Sequence, residues 1–174
     1  MTVRELYEMV LSGEDFETEG LEYVELDGWV RTNRDNGKVG FIALNDGTYF
    51  RNCQIVYLQE TLSNYDDIKH ISTGSAIRVL GKLKLTPEAK QPFEIEATQV
   101  VVEGACDEDF PLQKKRHTFE YLRTISHVRP STNTFSAVFR VRSAFAYSLH
   151  KFFQERNFVY VHTPLITSSD AEGA

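Results

Sequence analysis

Val24-Glu-Leu-Asp-Gly-Trp-Val-Arg-Thr-Asn-Arg-Asp-Asn-Gly-Lys-Val-Gly-Phe-Ile-Ala-Leu44 holds two extended runs joined by a turn. Val24, Leu26, Gly28 and Val30 alternate with Glu25, Asp27 and Arg31, the period-2 pattern of a strand with one buried face. Asn36-Gly37 sits between this run and Val39 to Leu44. Asn-Gly is a strong hairpin signal, because the tight turns that suit strand twist need φ > 0 at their centre. The stretch therefore predicts an antiparallel pair.

Working outward, Asp46-Gly47 marks a second turn and Cys53 to Leu58 a third β-rich run. Tyr65 to Ile71 reads as a short helix, with Asn64 as N-cap and Gly74 as exit. Ile77, Val79, Leu83 and Leu85 are expected on one face of a fourth strand, with Arg78, Lys82 and Lys84 on the other. Phe93, Ile95 and Ala97 alternate in a fifth. Their phase slips near Gln99 before Val100-Val101-Val102, as a β-bulge would cause. Thr86 to Pro92 is the loop between these last two strands. Ahead of the strands, Val3, Leu6, Tyr7, Val10 and Leu11 have helical spacing, with Gly13 as a stop. Three strands, a helix and two more strands is the order of a five-stranded Greek-key OB barrel, whose strand 2–3 face commonly binds oligonucleotides. Other small barrels share the strand count.

Gly104-Ala-Cys-Asp-Glu-Asp-Phe-Pro111 reads as a linker. Thr118 to Ser126 follows as a short helix, and Phe135 to Glu155 as a long amphipathic one, with Val138, Phe139, Phe145, Ala146, Leu149, Phe152 and Phe153 on its apolar stripe. Asn157 ends that helix, and Val159 to Val161 starts a strand. The expected organisation is a β-rich domain with its N-terminal helix over residues 1–104, a linker over 105–117, and the start of an α+β domain over 118–174.

The 174 residues carry a formal charge of −6. Acidic groups crowd the N-terminal segment, from Glu5 to Asp27. Basic ones dominate from Lys114 to Arg156, so the mean says little about a local nucleic-acid surface. No apolar run approaches a membrane span, and the N-terminus lacks a secretory layout. Cys53 and Cys106 form no Cys-x-x-Cys pair and the histidines stand singly, which argues against disulfides and a zinc site and for a cytoplasmic setting. No metal ligand set and no catalytic group are assigned.

Three segments carry the functional reading: Gly28-Trp-Val-Arg-Thr-Asn-Arg34-Asp, Gly40-Phe41-Ile, and Cys53-Gln54-Ile-Val. In order and spacing they resemble the anticodon-binding segments of class IIb aminoacyl-tRNA synthetases, the asparaginyl, aspartyl and lysyl types. The resemblance implies that Phe41 stacks on the central anticodon uridine, Gln54 hydrogen-bonds its edge, and Arg34 contacts the base or a phosphate. Recognition of unstacked RNA bases uses such an aromatic plane with side-chain donors and acceptors. An isolated strand phenylalanine is more often core; the matched Arg34 and Gln54 favour stacking. Glu88 and Lys90, in the loop 86–92, are expected near the outer anticodon bases. Trp29 is expected to pack on the barrel.

The same resemblance covers the C-terminal part. Phe158, Val161 and Pro164 match motif 1, the dimer element of class II synthetases. Proline there withholds a ladder donor and fixes φ. Ser169, Asp170 and Glu172 resemble an amino-acid-binding loop of the asparaginyl type. Motifs 2 and 3 are absent, so the chain is expected to be the N-terminal part of a longer enzyme, followed into a truncated class II catalytic domain and inactive in charging by itself. The implied parent is a homodimer that joins asparagine to tRNA(Asn) using ATP and Mg2+, with the anticodon stem-loop as this part's partner. Aspartyl or lysyl identity, or a free-standing single-strand-binding module, are the other readings.

Overall fold

The computed structural model describes residues 1–13, 22–107 and 109–166. Five strands form a closed barrel: β1 (Tyr23–Asp35), β2 (Val39–Asn45), β3 (Cys53–Leu58), β4 (Ala76–Leu85) and β5 (Phe93–Gly104). Their spatial order is β1-β2-β3-β5-β4, with β4 pairing back onto β1. All contacts are antiparallel except β3 with β5, which runs parallel with Ile55 opposite Ile95. This is the OB arrangement expected from the strand order. Closure leaves no open sheet edge.

The alternation in the sequence becomes the core. Val24, Leu26, Val30, Ile42, Leu44, Ile55, Ile77, Val79, Phe93 and Ile95 are buried together. Thr98 is the extra residue of the β5 bulge, since Leu80 pairs with Gln99 and Gly81 with Ala97. After it the buried phase resumes at Val100. A second bulge, not visible in the hydrophobic pattern, lies in β1. There Val30 pairs with Leu44 and Thr32 with Ala43, which leaves Arg31 unmatched.

Helix α1 (Val3–Ser12) closes one end of the barrel. A reciprocal capping box between Thr2 and Glu5 starts it, and Gly13 in the left-handed region ends it. Asp46 Oδ2 accepts from the Val3 N–H at 2.8 Å, and Tyr7 stacks on Tyr49 at 4.6 Å between centroids. The turn that begins β2's return loop thus also anchors the helix.

Several expectations are corrected. Helix α2 spans only Tyr65–Ile68, and Asn64 makes no side-chain cap. Its amide nitrogen donates instead to the Val100 carbonyl at 2.9 Å, tying the helix to β5. Leu85 is 56 % exposed and lies off the core: the inward phase of β4 runs unbroken through Ile77, Val79, Gly81 and Leu83, but Leu85 is the last residue of the strand and stands beyond the packed interior. Trp29 is 54 % exposed on the outer face of β1 and does not pack into the barrel. Its neighbours Val30 and Gly28 take the inward positions.

By its contacts the chain divides into two compact units, Met1–Thr132 and Asn133–Ala174. The first includes the segment expected as a linker and helix α3 (Phe119–Thr124), with Leu112 and Leu122 buried. Thr118 caps α3 by accepting from the Tyr121 N–H. In the second unit α4 (Asn133–Gln154) has no buried residue. Asn157, at φ 63°, stops it, and the Phe158 N–H reaches back to the Phe153 carbonyl at 3.1 Å. No strand forms over Val159–Val161, contrary to expectation. A strand there needs a neighbour for its ladder, and the described residues supply none.

Candidate nucleic-acid interface

The β1 bulge decides which way Arg34 points. Val24, Leu26 and Val30 face inward at even positions, and an uninterrupted strand would carry Arg34 inward as well. The unmatched Arg31 shifts the phase by one, so Arg34 lies outside, directly opposite Phe41. One row along the same face, Thr32, Ala43 and Gln54 pair in sequence across β1, β2 and β3. Phe41 and Gln54 are therefore diagonal neighbours, close enough for an aromatic ring and a long side chain to act on one ligand.

Arg34, Asp35, Asn36, Val39, Phe41 and Gln54 line an open depression of about 310 Å³. The Arg34 guanidinium carbon is 6.0 Å from the Phe41 ring centroid, at the limit of a cation–π contact. Arg34 is exposed, and Phe41 is half-buried with its ring on the barrel's outer face. Gln54 Nε2 donates to Glu94 Oε2 at 3.1 Å. At the rim, Asn36 Oδ1 accepts from the Lys38 and Val39 N–H groups, and Asp35 Oδ1 from Gly37 N–H. Gly37 supplies the φ of 90° that the hairpin requires.

Behind the depression is a polar brace that the sequence did not disclose. A Cβ at Gly40 would stand 1.9 Å from Tyr57 Cζ, so the glycine lets that ring cross β2. Tyr57 Oη then donates to Asn33 Oδ1 at 2.9 Å, while Asn33 Nδ2 donates to the Ile68 carbonyl at 2.8 Å. Beside it, Tyr65 Oη donates to Asp35 Oδ2, and the two tyrosine rings lie 5.3 Å apart. Burial, reinforced by the Asp35 charge, pushes the Tyr57 phenol up to about 12. Burial and the bond to Asp35 likewise push Tyr65 up to about 12. The brace pins both ends of the segment 33–35 that carries Arg34. Only the Gly40/Tyr57 register, unknown before the strands were paired, could have revealed it.

Glu88 and Lys90 are exposed in the β4–β5 loop and line no part of the depression. That loop is closed on itself by Thr86 N–H to Pro92 O at 2.8 Å and Thr86 Oγ1 to Gln91 O at 2.9 Å. Phe158 is exposed, edge-on to Phe153 at 5.4 Å, and Pro164 is exposed. Ser169, Asp170 and Glu172 lie outside the described residues.

A closed β1-β2-β3-β5-β4 barrel is matched in the sequence by a family described as an OB-fold nucleic acid binding domain, over residues 24–103. The barrel has the OB fold. The OB domain and its flanks are 65 % identical to the asparagine–tRNA ligase of Acetivibrio thermocellus over 84 % of this chain and 32 % of that protein. They are 59 % identical to the asparagine–tRNA ligase of Alkaliphilus oremlandii over 87 % of this chain and 32 % of that one. The chain thus spans about a third of the length of these relatives, and the resemblance drawn from its motifs is borne out. The fold is also that of asparaginyl-tRNA synthetase from Pyrococcus horikoshii, with a TM-score of 0.77 at 24 % identity, covering 87 % of this chain and 35 % of that one.

Among the described residues no three His, Cys, Asp or Glu side chains gather in a group able to hold a metal ion. No described helix is long and apolar enough to cross a membrane.

Proposed function

We propose that this chain is the anticodon-reading part of an asparagine–tRNA ligase, and that the depression of the OB domain grips the central uridine of the tRNA(Asn) anticodon. The observation that supports this best is the strand register, which puts Arg34 opposite Phe41 and Gln54 diagonal to Phe41 on one outward face. A flipped pyrimidine stacks on Phe41, and Gln54 meets its Watson–Crick edge. Arg34 neutralises the adjoining phosphate or binds a base carbonyl. Such a stack contributes ~1–3 kcal/mol per base.

Glu88 and Lys90 read the flanking anticodon bases from the exposed loop beside β5. In the whole enzyme the partners are asparagine and ATP with Mg2+, in the cytoplasm. The exposed apolar face of α4, with Phe158 and Pro164, belongs to a homodimer contact of the motif 1 kind. Ser169, Asp170 and Glu172 serve the amino-acid loop. The 174 residues by themselves bind the stem-loop without charging it.

A synthetic tRNA(Asn) anticodon stem-loop should bind this chain more tightly than the same loop with its central U replaced by C. Arg34→Ala should weaken binding and make it less salt-dependent, by about one unit of log–log slope at most. Equal affinity for the U and C loops would remove this reading and leave a sequence-blind single-strand binder.

A further inference from the structure

A primary amide is ambidextrous. Turned one way, Gln54 offers its oxygen to the N3–H of uracil and a nitrogen hydrogen to the neighbouring carbonyl. Turned the other way, it donates to N3 of cytosine and accepts from the exocyclic amine. A free glutamine at this position would therefore satisfy either pyrimidine by rotating about its terminal bond, and stacking on Phe41 does not choose between them. Discrimination requires that something hold the amide in one sense.

The barrel supplies that constraint through the parallel pairing of β3 with β5. Ile55 lies opposite Ile95, with Val56 opposite Glu96, so one step back along both strands Gln54 and Glu94 are side by side. Both face outward, away from Ile55 and Ile95, which are buried. The contact is Gln54 Nε2 to Glu94 Oε2 at 3.1 Å. A carboxylate only accepts, so the nitrogen must stay on the β5 side. The opposite orientation would set amide oxygen against carboxylate oxygen.

Resting on the uridine reading above, we propose that Glu94 is a positioning residue that fixes the amide polarity of Gln54 and so makes the depression select a base with an imino N–H over cytosine. Glu94 acts through Gln54 and need not touch the base. With one Nε2 hydrogen held by Glu94, the oxygen and the second hydrogen remain for the ligand. They face it in the order that fits uracil and misfits cytosine. The charge of Glu94 also deepens the preference: it disfavours the flipped state more than a neutral acceptor would.

The test is binding of two stem-loops, central U and central C, to the 174-residue chain and to its Glu94→Gln, Gln54→Ala and Phe41→Ala variants. A carboxamide at position 94 accepts or donates, so it tolerates both orientations of Gln54. Glu94→Gln should keep U-loop affinity within about threefold while the U-over-C preference falls from roughly tenfold, the scale of one misplaced hydrogen bond, to about twofold or less. Thermal unfolding of the variant serves to show that the barrel is intact. A preference that survives Glu94→Gln but is lost in Gln54→Ala would overturn the role given to Glu94 and leave the uridine reading standing. A preference untouched by Gln54→Ala would sink the uridine reading itself. Equal loss of affinity for both loops in Glu94→Gln would make Glu94 a direct contact or a structural residue, and also refute the proposal.

Discussion

Gly40 and Phe41 are adjacent in β2 and face opposite ways, and each is constrained by what lies on its side. Phe41 stands on the outer face beside the Arg34 guanidinium. Gly40 faces the ring of Tyr57. Phe41→Ala should lower stem-loop affinity by ~1–3 kcal/mol while leaving the urea midpoint of unfolding nearly unchanged. A large drop in that midpoint would instead mark the ring as part of the core. Gly40→Ala should do the reverse at first order. Its Cβ needs space that Tyr57 occupies, so it should destabilise the barrel by ~1–3 kcal/mol, the usual scale of overpacking. Binding should then weaken as a consequence of losing the brace under Arg34. Unchanged stability in that variant would show that Tyr57 can leave β2 without loss, and the brace would have no structural weight.

At the scale of elements, the strands were legible because alternation and turn residues report burial directly. Cys53–Leu58 appears as a strand with the bounds read from sequence, and the phase slip before Val100 is the Thr98 bulge. The bulge at Arg31 was not legible: a single unmatched residue in a polar stretch leaves no mark on hydrophobic periodicity, yet it turns Arg34 outward. Gln54, Phe41 and Arg34 were named from motif resemblance, and their convergence required the register. Glu94 was not singled out, because its pairing with Gln54 follows from a parallel contact 40 residues apart in sequence. Val159–Val161 was misread, and Asn64 stands at the N-cap of α2 with its side chain turned to another partner, for a related reason: local propensity says nothing about which distant strand or carbonyl is at hand. The brace between β1, β3 and α2 gives these elements a shared pH dependence. Tyr57 and Tyr65 hold their protons up to about 12 in the folded chain, above the ordinary 10.0. The unfolded state thus loses protons first, and stability contributed by the phenols is whole below about pH 10 and is lost as pH rises through about 12. Urea midpoints should fall across that window, and Tyr57→Phe should flatten the fall. Equal steepness in the variant would assign the alkaline loss to other groups.

For the molecule as a whole, the two cysteines report on different openings. Cys53 is 1 % exposed in the barrel core, and burial pushes its thiol up to about 12. Cys106 is half-buried beside Gly74, where burial and then Asp107 and Asp109 also raise its thiol, by less. Only the thiolate attacks a disulfide reagent. Cys106 lies past the end of β5 and is partly exposed, so it can react without the barrel opening. Cys53 needs the barrel to open, because its strand is paired on both sides, with β2 and with β5. At pH 8 a disulfide reagent should therefore titrate Cys106 within minutes, and Cys53 at least ~10³-fold more slowly, in proportion to the population of opened barrel. Denaturant should bring the two rates together, with a midpoint matching loss of the β signal in circular dichroism. The Gly40→Ala chain should show faster Cys53 labelling and unchanged Cys106 labelling, since its strain lies within the barrel. Two thiols reacting at one rate in native buffer would mean that the barrel opens as readily as the segment beyond it, and a surface that loose could not hold Arg34, Phe41 and Gln54 in register for one base.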